Sequence, residues 1–386
     1  MNKLLLKHAS AILPDEILEN ASIVISDERI SRIGKAVDSF DNVLDLRGAQ
    51  LFPGFIDIHI HGAIGIDAND ANATDLHKAA EFLARSGVTA WLPSLVPDAA
   101  DKYRKSIAAI DQLIQNQDKF ESTTAARAIG VHYEGPFVSE KQCGALRTRY
   151  FRAFDGEIGL PKLSAQYAVH LTTMAPEIPG GIELIEKLCA DDWVVSIGHT
   201  RADTKTLDAA LAVGARHLTH FFNAMSGVHH REVGVAGWGL SNDAVTFDII
   251  ADGVHVAPPM LRFAARTKTP AKTVLISDSV SPAGLGDGEF EIWGEKISVV
   301  NGKTENERGS IAGSVITMLD AVRMMLKLGF SPVEVSQMAS LNPARVLGIE
   351  KDYGSIEVGK RADLTAIDGD GNIVLTIVGG RVAYQV

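Results

Sequence analysis

The chain has 386 residues, 46% hydrophobic and 22% charged, which allows a large buried core and is ordinary for a globular protein. Its 37 basic and 48 acidic residues leave a net charge of −11, which argues against a nucleic-acid partner and requires any phosphorylated ligand to meet a local basic pocket. The two cysteines, Cys143 and Cys189, cannot build a disulfide framework and lie in no nucleophile motif, so a reducing compartment is expected.

At the start, Leu4-Leu5-Leu6 is followed at once by Lys7 and His8. That run is too short for a signal peptide or a membrane span, so a cytoplasmic protein without membrane contact is expected. Residues 1–52 then read as short strands, with β-branched runs at 21–25 and 29–34 between Asp, Asn and Gly. Residues 351–386 have the same character. Both ends are expected to build one small β-sandwich domain around a catalytic domain of residues 53–350.

That middle part alternates strand-like and helix-like runs. Strands are predicted at 55–61, 88–94, 128–134, 170–175, 193–198, 217–222, 245–251 and 273–277, with helices such as 73–85, 101–115 and 203–213 between them. Eight such units predict a closed (β/α)₈ TIM-like barrel. An open doubly wound sheet competes, but no glycine-rich phosphate fingerprint follows any of these strands.

In the first barrel strand Ile56, Ile58 and Ile60 alternate with Asp57, His59 and His61, so both imidazoles are expected to share one face. Barrel chemistry gathers at the C-terminal strand ends. Those ends carry His59, His61, Glu134, His199, His220, Asp252 and Asp278. Taken singly, each histidine is more often a satisfied core or surface group, and Glu134 a loop-start carboxylate. As a set, His59, His61, Glu134, His199 and His220 make an imidazole and carboxylate shell suited to one or two divalent ions, Zn²⁺ or Fe²⁺. Asp278 is placed to take a proton from water and return it to a leaving group, against the commoner role of a turn or helix-capping aspartate. His132, two residues before Glu134, is expected to pack one layer deeper.

Longer segments carry a resemblance. They include Pro53-Gly54-Phe55-Ile56-Asp57, Glu134-Gly135-Pro136-Phe137, Ala175-Pro176-Glu177, Gly198-His199-Thr200, His220-Phe221-Phe222-Asn223-Ala224-Met225, His230-Arg231-Glu232 and Ala251-Asp252-Gly253-Val254-His255. Ser277-Asp278-Ser279, Gly309-Ser310-Ile311-Ala312-Gly313-Ser314, Leu341-Asn342-Pro343-Ala344-Arg345 and the stretch from Gly354 to Leu364 extend the match over nearly the whole chain. Together they resemble the amidohydrolase superfamily and, within it, the family of amino-sugar-6-phosphate deacetylases.

The resemblance implies metal-dependent hydrolysis of the acetamide of N-acetyl-D-glucosamine 6-phosphate, with the galacto epimer as alternative substrate. From another class stands a non-catalytic sugar-phosphate-binding barrel, which loss of the ligand-type residues would mark; none is lost. Glu134, His199 and His220 would hold the ion common to the family, and His59 and His61 a second one with Glu134 bridging. The bridging lysine of cyclic-amide hydrolases has no counterpart at 174–177. Substrate contacts would fall to Asn223, Ala224, His255, Ile311, Ala312 and Gly313, and to Arg231 reaching the partner's site across a homodimer. Ala145 and Leu146 occupy the loop where the family carries a phosphate-contacting histidine. Leu146 stands in its place, with Arg147 or Arg149 as the available substitutes.

Overall fold

The computed structural model describes residues 3–35, 42–120 and 124–386. Eight parallel strands form the barrel: β1 (Phe55–Ile60), β2 (Val88–Leu95), β3 (Gly130–Glu134), β4 (Val169–Met174), β5 (Val194–Ile197), β6 (His217–Leu218), β7 (Thr246–Ile250) and β8 (Thr273–Ile276). Each pairs in parallel with the next. The ring closes between β8 and β1, where Asp278 N donates to His59 O at 2.9 Å and His61 N to Ser279 O at 2.8 Å.

Amphipathic helices cover the outside. In α1 (Ala73–Arg85), Leu76, Ala79, Ala80 and Leu83 recur at helical spacing and are buried, and Asn72 caps the first turn through Asp75 N. Helices α2 (Ala100–Asn116), α3 (Gly181–Ala190), α4 (Thr204–Ala212), α5 (Gly234–Ser241), α6 (Pro258–Lys268) and α7 (Met318–Lys327) continue the ring. After α8 (Pro332–Ser336), α9 (Asn342–Val346) plugs the N-terminal mouth of the barrel against β1 and β8. Ala344 and the following Leu347 pack with Ile56, Ile58, Leu171, Ile250 and Ile276 in the barrel interior. Among the described residues no helix is long and apolar enough to cross a membrane.

The chain ends meet in a separate eight-stranded sheet. Lys3–Ile12 lies between Ile17–Ser26 and Gln50–Pro53, and Gln50–Pro53 in turn pairs with Leu364–Ile367 from the far end of the chain. Leu6, Ile23, Ile25, Leu51, Leu364 and Ile377 give this sheet its own core.

Three details depart from the sequence-based expectations. The pairing of β1 with β2 is irregular between Asp57 and Ile60, so the even-numbered isoleucines do not share a face. Ile56 and Ile58 join the interior cluster while Ile60 packs outward among the helices, and the irregularity lets His59 turn into the mouth directly after Ile58. The predicted strand at 217–222 ends at Leu218, because positive φ angles at His220 and Phe222 break the extended backbone. An antiparallel three-stranded flap, Gly288–Ile292, Glu295–Val300 and Lys303–Asn306, is inserted between β8 and α7.

Candidate metal centre

At the C-terminal mouth four imidazoles from three strand ends, β1, β5 and β6, converge on one carboxylate at the end of β3. His199 Nε2 and His220 Nε2 each lie 3.0 Å from Glu134 Oε1 and 3.1 Å from one another. His59 Nε2 and His61 Nε2 are 3.2 Å apart, at 3.6 Å from Glu134 Oε1 and 3.4 Å from Oε2 respectively. Two triads therefore share Glu134: His59, His61 and Glu134, and Glu134, His199 and His220. All five side chains are buried.

Second partners fix which nitrogen faces the centre. Ser94 O takes His61 Nδ1 at 3.1 Å and Gln142 O takes His199 Nδ1 at 2.6 Å, so Nε2 is the nitrogen that each ring turns toward Glu134. The turn carrying His199 is fastened by Glu177, which accepts from Thr200 Oγ1 at 2.5 Å and Arg201 N at 2.8 Å. Left-handed φ angles of 47°, 31° and 48° at His199, His220 and Asp278 swing these strand ends inward, at a backbone cost of roughly 1–3 kcal/mol each.

The electrostatics call for positive charge. Burial alone would strip protons from His61 and His220. The hydrogen bonds and fields of Asp278 and Glu134 outweigh it at His61, pushing its pKa up to about 10. At His220, Glu134 does most of the same work and the value rises to about 9. Burial likewise opposes the charge on Glu134, but hydrogen bonds from His199 and His220 hold it well below the usual carboxylate range. His59, with burial first and then His132 against it, is driven well below the usual imidazole value and stays neutral. Two nitrogens on one zinc at ~2.0–2.1 Å in tetrahedral geometry lie about 3.3 Å apart. The observed 3.1 and 3.2 Å match that spacing. Lone pairs and carboxylate oxygens this close repel unless a proton or cation lies between them, so the donor set fits a divalent ion.

Asp278 Oδ1 lies 3.3 Å from His61 Nε2 and 3.5 Å from His59 Nε2, on the rim of the same cluster. Beneath it, the His132 ring stands 4.3 Å from His59 with Nε2 on Thr173 Oγ1 at 2.8 Å, and burial lowers its pKa to about 3. Asp57, fully buried, accepts from Ser277 Oγ at 2.6 Å beside Asp278, and burial lifts its carboxyl to about 7.

A cavity of about 310 Å³ opens over the cluster. Asn223, Ala224, His255, Ile311 and Gly313 line it, with Ala145 and Leu146 on another wall. His255 is held through Nδ1 by Asp252 Oδ2 at 2.6 Å, which leaves Nε2 to meet a ligand. Ala312 does not line this cavity; it packs with Val280, Ile292 and Ile297 under the flap. Arg231 is exposed in a neighbouring groove, outside this lining. Leu146 is buried against Val96, Val138 and Trp293. Arg147 is spent on Asp98 Oδ2 at 2.8 Å and Pro97 O at 2.9 Å.

Trp293, at the tip of the flap, was not read from the sequence. Its ring meets His61 edge-on at 5.3 Å and closes one side of the cavity. The sequence signal is Asn301-Gly302, a hairpin dipeptide; in the structure it and Trp293-Gly294 both carry the paired positive φ angles of tight hairpin turns.

The chain belongs to the amidohydrolase family, whose model matches residues 50–383. Within that class it is similar to an N-acetylglucosamine-6-phosphate deacetylase of Bacillus subtilis, 33% identical over 99% of this chain and 97% of the relative. It is also 33% identical to an N-acetylgalactosamine-6-phosphate deacetylase of Escherichia coli O157:H7, over 87% of this chain and 89% of the relative. The crystal structure of N-acetylglucosamine-6-phosphate deacetylase from Pasteurella multocida superimposes with a TM-score of 0.90 at 28% identity, covering 99% of both chains.

Proposed function

We propose that this protein hydrolyses the acetamide of N-acetyl-D-glucosamine 6-phosphate to D-glucosamine 6-phosphate and acetate, using one or two divalent ions, Zn²⁺ or Fe²⁺. The observation that carries the reading is the meeting of four imidazoles on Glu134, with Asp278 3.3 Å from His61, in a cavity sized for a small molecule. Full-length similarity to deacetylases of this substrate supports the choice of reaction.

Glu134, His199 and His220 would hold one ion, and His59, His61 and Glu134 a second. An ion there supplies Lewis acidity, easing deprotonation of water and polarising a carbonyl. The protein supplies the rest. Asp278, as general base, accepts the proton of the attacking water. It then gives that proton to the amide nitrogen as the C–N bond breaks, because an amide anion leaves too poorly unaided. His255, oriented by Asp252, faces the acyl oxygen where negative charge develops. Asn223, Ala224, Ile311 and Gly313 shape the sugar seat, and Trp293 keeps bulk water from one side of it.

Arg231 lies outside its own cavity, in keeping with a homodimer in which it reaches the partner's substrate; its planar fork suits phosphate. With Leu146 buried and Arg147 paired, neither takes the place of the phosphate-contacting histidine that the resemblance implies at this loop. The galacto epimer is the second reading, favoured by the equal identity to the Escherichia coli relative.

The test is acetate release from both 6-phosphorylated epimers and from the unphosphorylated sugars, with elemental analysis of the same preparation. Release from the gluco epimer with the higher kcat/KM is expected. No release from any of the four would refute the reading.

A further inference from the structure

We infer that the opposite, N-terminal mouth of the barrel holds a second ligand site, for a phosphate-type dianion, and that this site bears on the metal cluster from below. It stands apart from the deacetylase reading, because nothing in it depends on which bond is cleaved above.

A cavity of about 510 Å³ opens beside the α9 plug, where β5 to β8 begin. Arg216, Lys272 and Arg345 line it, and no aspartate or glutamate does. Among the described residues none of the three cations has an ion-pair partner. Arg345 feels the charge of Glu357, but that carboxylate is paired with Lys360 at 2.9 Å. Three cations without ion-pair partners in one lining stand out in a chain of net charge −11, and they give this concavity a local positive field that the protein as a whole lacks.

The uncharged walls add specificity. Asn342 spends its amide hydrogens on Pro270 O and Thr273 O, both at 2.7 Å, and its Oδ1 is buried without a partner. Trp193 Nε1, in the same lining, is also buried and unpartnered. An unpaired acceptor and donor beside three cations, with Val194 and Val346 as apolar wall, suit a phosphate carried on a small hydroxylated skeleton. Free phosphate shares the anchoring chemistry.

A buried chain of hydrogen bonds leads from this cavity through the barrel. Thr246 Oγ1, in the cavity lining, meets His217 Nδ1 at 2.7 Å. His217 Nε2 meets Asp248 Oδ2 at 3.0 Å, and the other oxygen of Asp248 accepts from the backbone N–H of His220. His217 and Asp248 are each 2% exposed. His220, at φ 31°, thus rests on a support whose lower end is the wall of the second cavity. A ligand there that displaces Thr246 or its neighbour Arg216 alters the support of His220.

The experiment is calorimetric titration of the metal-loaded protein with inorganic phosphate in one arm and glucose 6-phosphate in the other, counting sites. The comparison is wild type against Lys272→Ala/Arg345→Ala, whose side chains are at least partly exposed and whose loss leaves the upper cavity unchanged. Expected is a binding event that the double variant weakens at least tenfold, while its kcat and KM without added phosphate match wild type. Arg345→Lys, which keeps the charge, should retain most of the affinity. Tighter binding of glucose 6-phosphate at that event assigns a sugar phosphate, and tighter binding of inorganic phosphate assigns the free ion. Equal affinity of wild type and double variant for both probes, or no saturable binding, would overturn the site.

Discussion

Loading the cluster with metal should release about one proton per ion bound. In the metal-free protein His220 holds its proton up to about pH 9 and His61 up to about 10, while Glu134 is ionised and His59 is neutral. An ion at Glu134, His199 and His220 must displace the proton of His220. An ion at His59, His61 and Glu134 must displace that of His61. Below pH 9 each site then competes with one proton, so its affinity falls about tenfold for each unit that pH drops. From pH 8 to pH 6 the loss is ~100-fold per site, or ~2.7 kcal/mol. The sign follows because the protonated imidazole has no lone pair to give. Titrating Zn²⁺ into metal-free protein at pH 7.5, in two buffers of different ionisation enthalpy, reads the protons released per ion, and repeating it at pH 6 and 8 reads the slope. A total near one reports a single filled site, and near two reports both. Proton release close to zero, or an affinity flat between pH 6 and 8, would show that the charge assignment in the cluster is wrong.

Asp278→Asn should lower kcat by roughly 10²–10⁴ while metal content by elemental analysis stays at the wild-type level. Near-normal turnover would remove Asp278 from the proton path. Leu146→His should not restore a phosphate contact. It places a polar ring among Val96, Val138 and Trp293 and should cost about 2–3 kcal/mol, seen as a Tm several degrees lower with no fall in KM. A stable variant with a lower KM would contradict this. Trp293→Ala should raise KM for the phosphorylated sugar about tenfold without loss of metal, since it opens the wall beside His61 and leaves every Nε2 in place. Loss of metal in that variant would instead make Trp293 a support of the cluster.

The barrel was legible because eight apolar runs alternate with helical ones, and the cluster because its members close those runs. Glu134, His199, His220 and Asp278 each stand where a strand pattern stops. The inward swing of the last three was not legible, since left-handed backbone at a histidine or aspartate depends on the turns packed around it. The split of the β1 isoleucines was hidden for a related reason. Period-two alternation assumes regular pairing, and the irregularity after Asp57 is set jointly by β1 and β2. His217 and Asp248 look like unremarkable members of short strands, and their link to His220 exists only once β6 and β7 lie side by side. Lys3–Ile12 agrees with the reading of residues 1–52 as short strands, but its bounds are not legible because the apolar triplet Leu4-Leu5-Leu6 shows no period-two alternation.

The sheet shared by the chain ends also constrains how the protein is made. Gln50–Pro53 finds its antiparallel neighbour only at Leu364–Ile367, so a ribosome must add about 300 residues before that edge can be covered. At ~5–20 residues per second the wait is roughly 15–60 s, during which an apolar strand edge is open to pairing with other nascent chains. The barrel in between can begin to form during that interval, but Gln50–Pro53 gains this neighbour only after Leu364–Ile367 has been made. Truncations near the C-terminus should therefore appear first as aggregation during expression, even where every side chain of the metal cluster is retained.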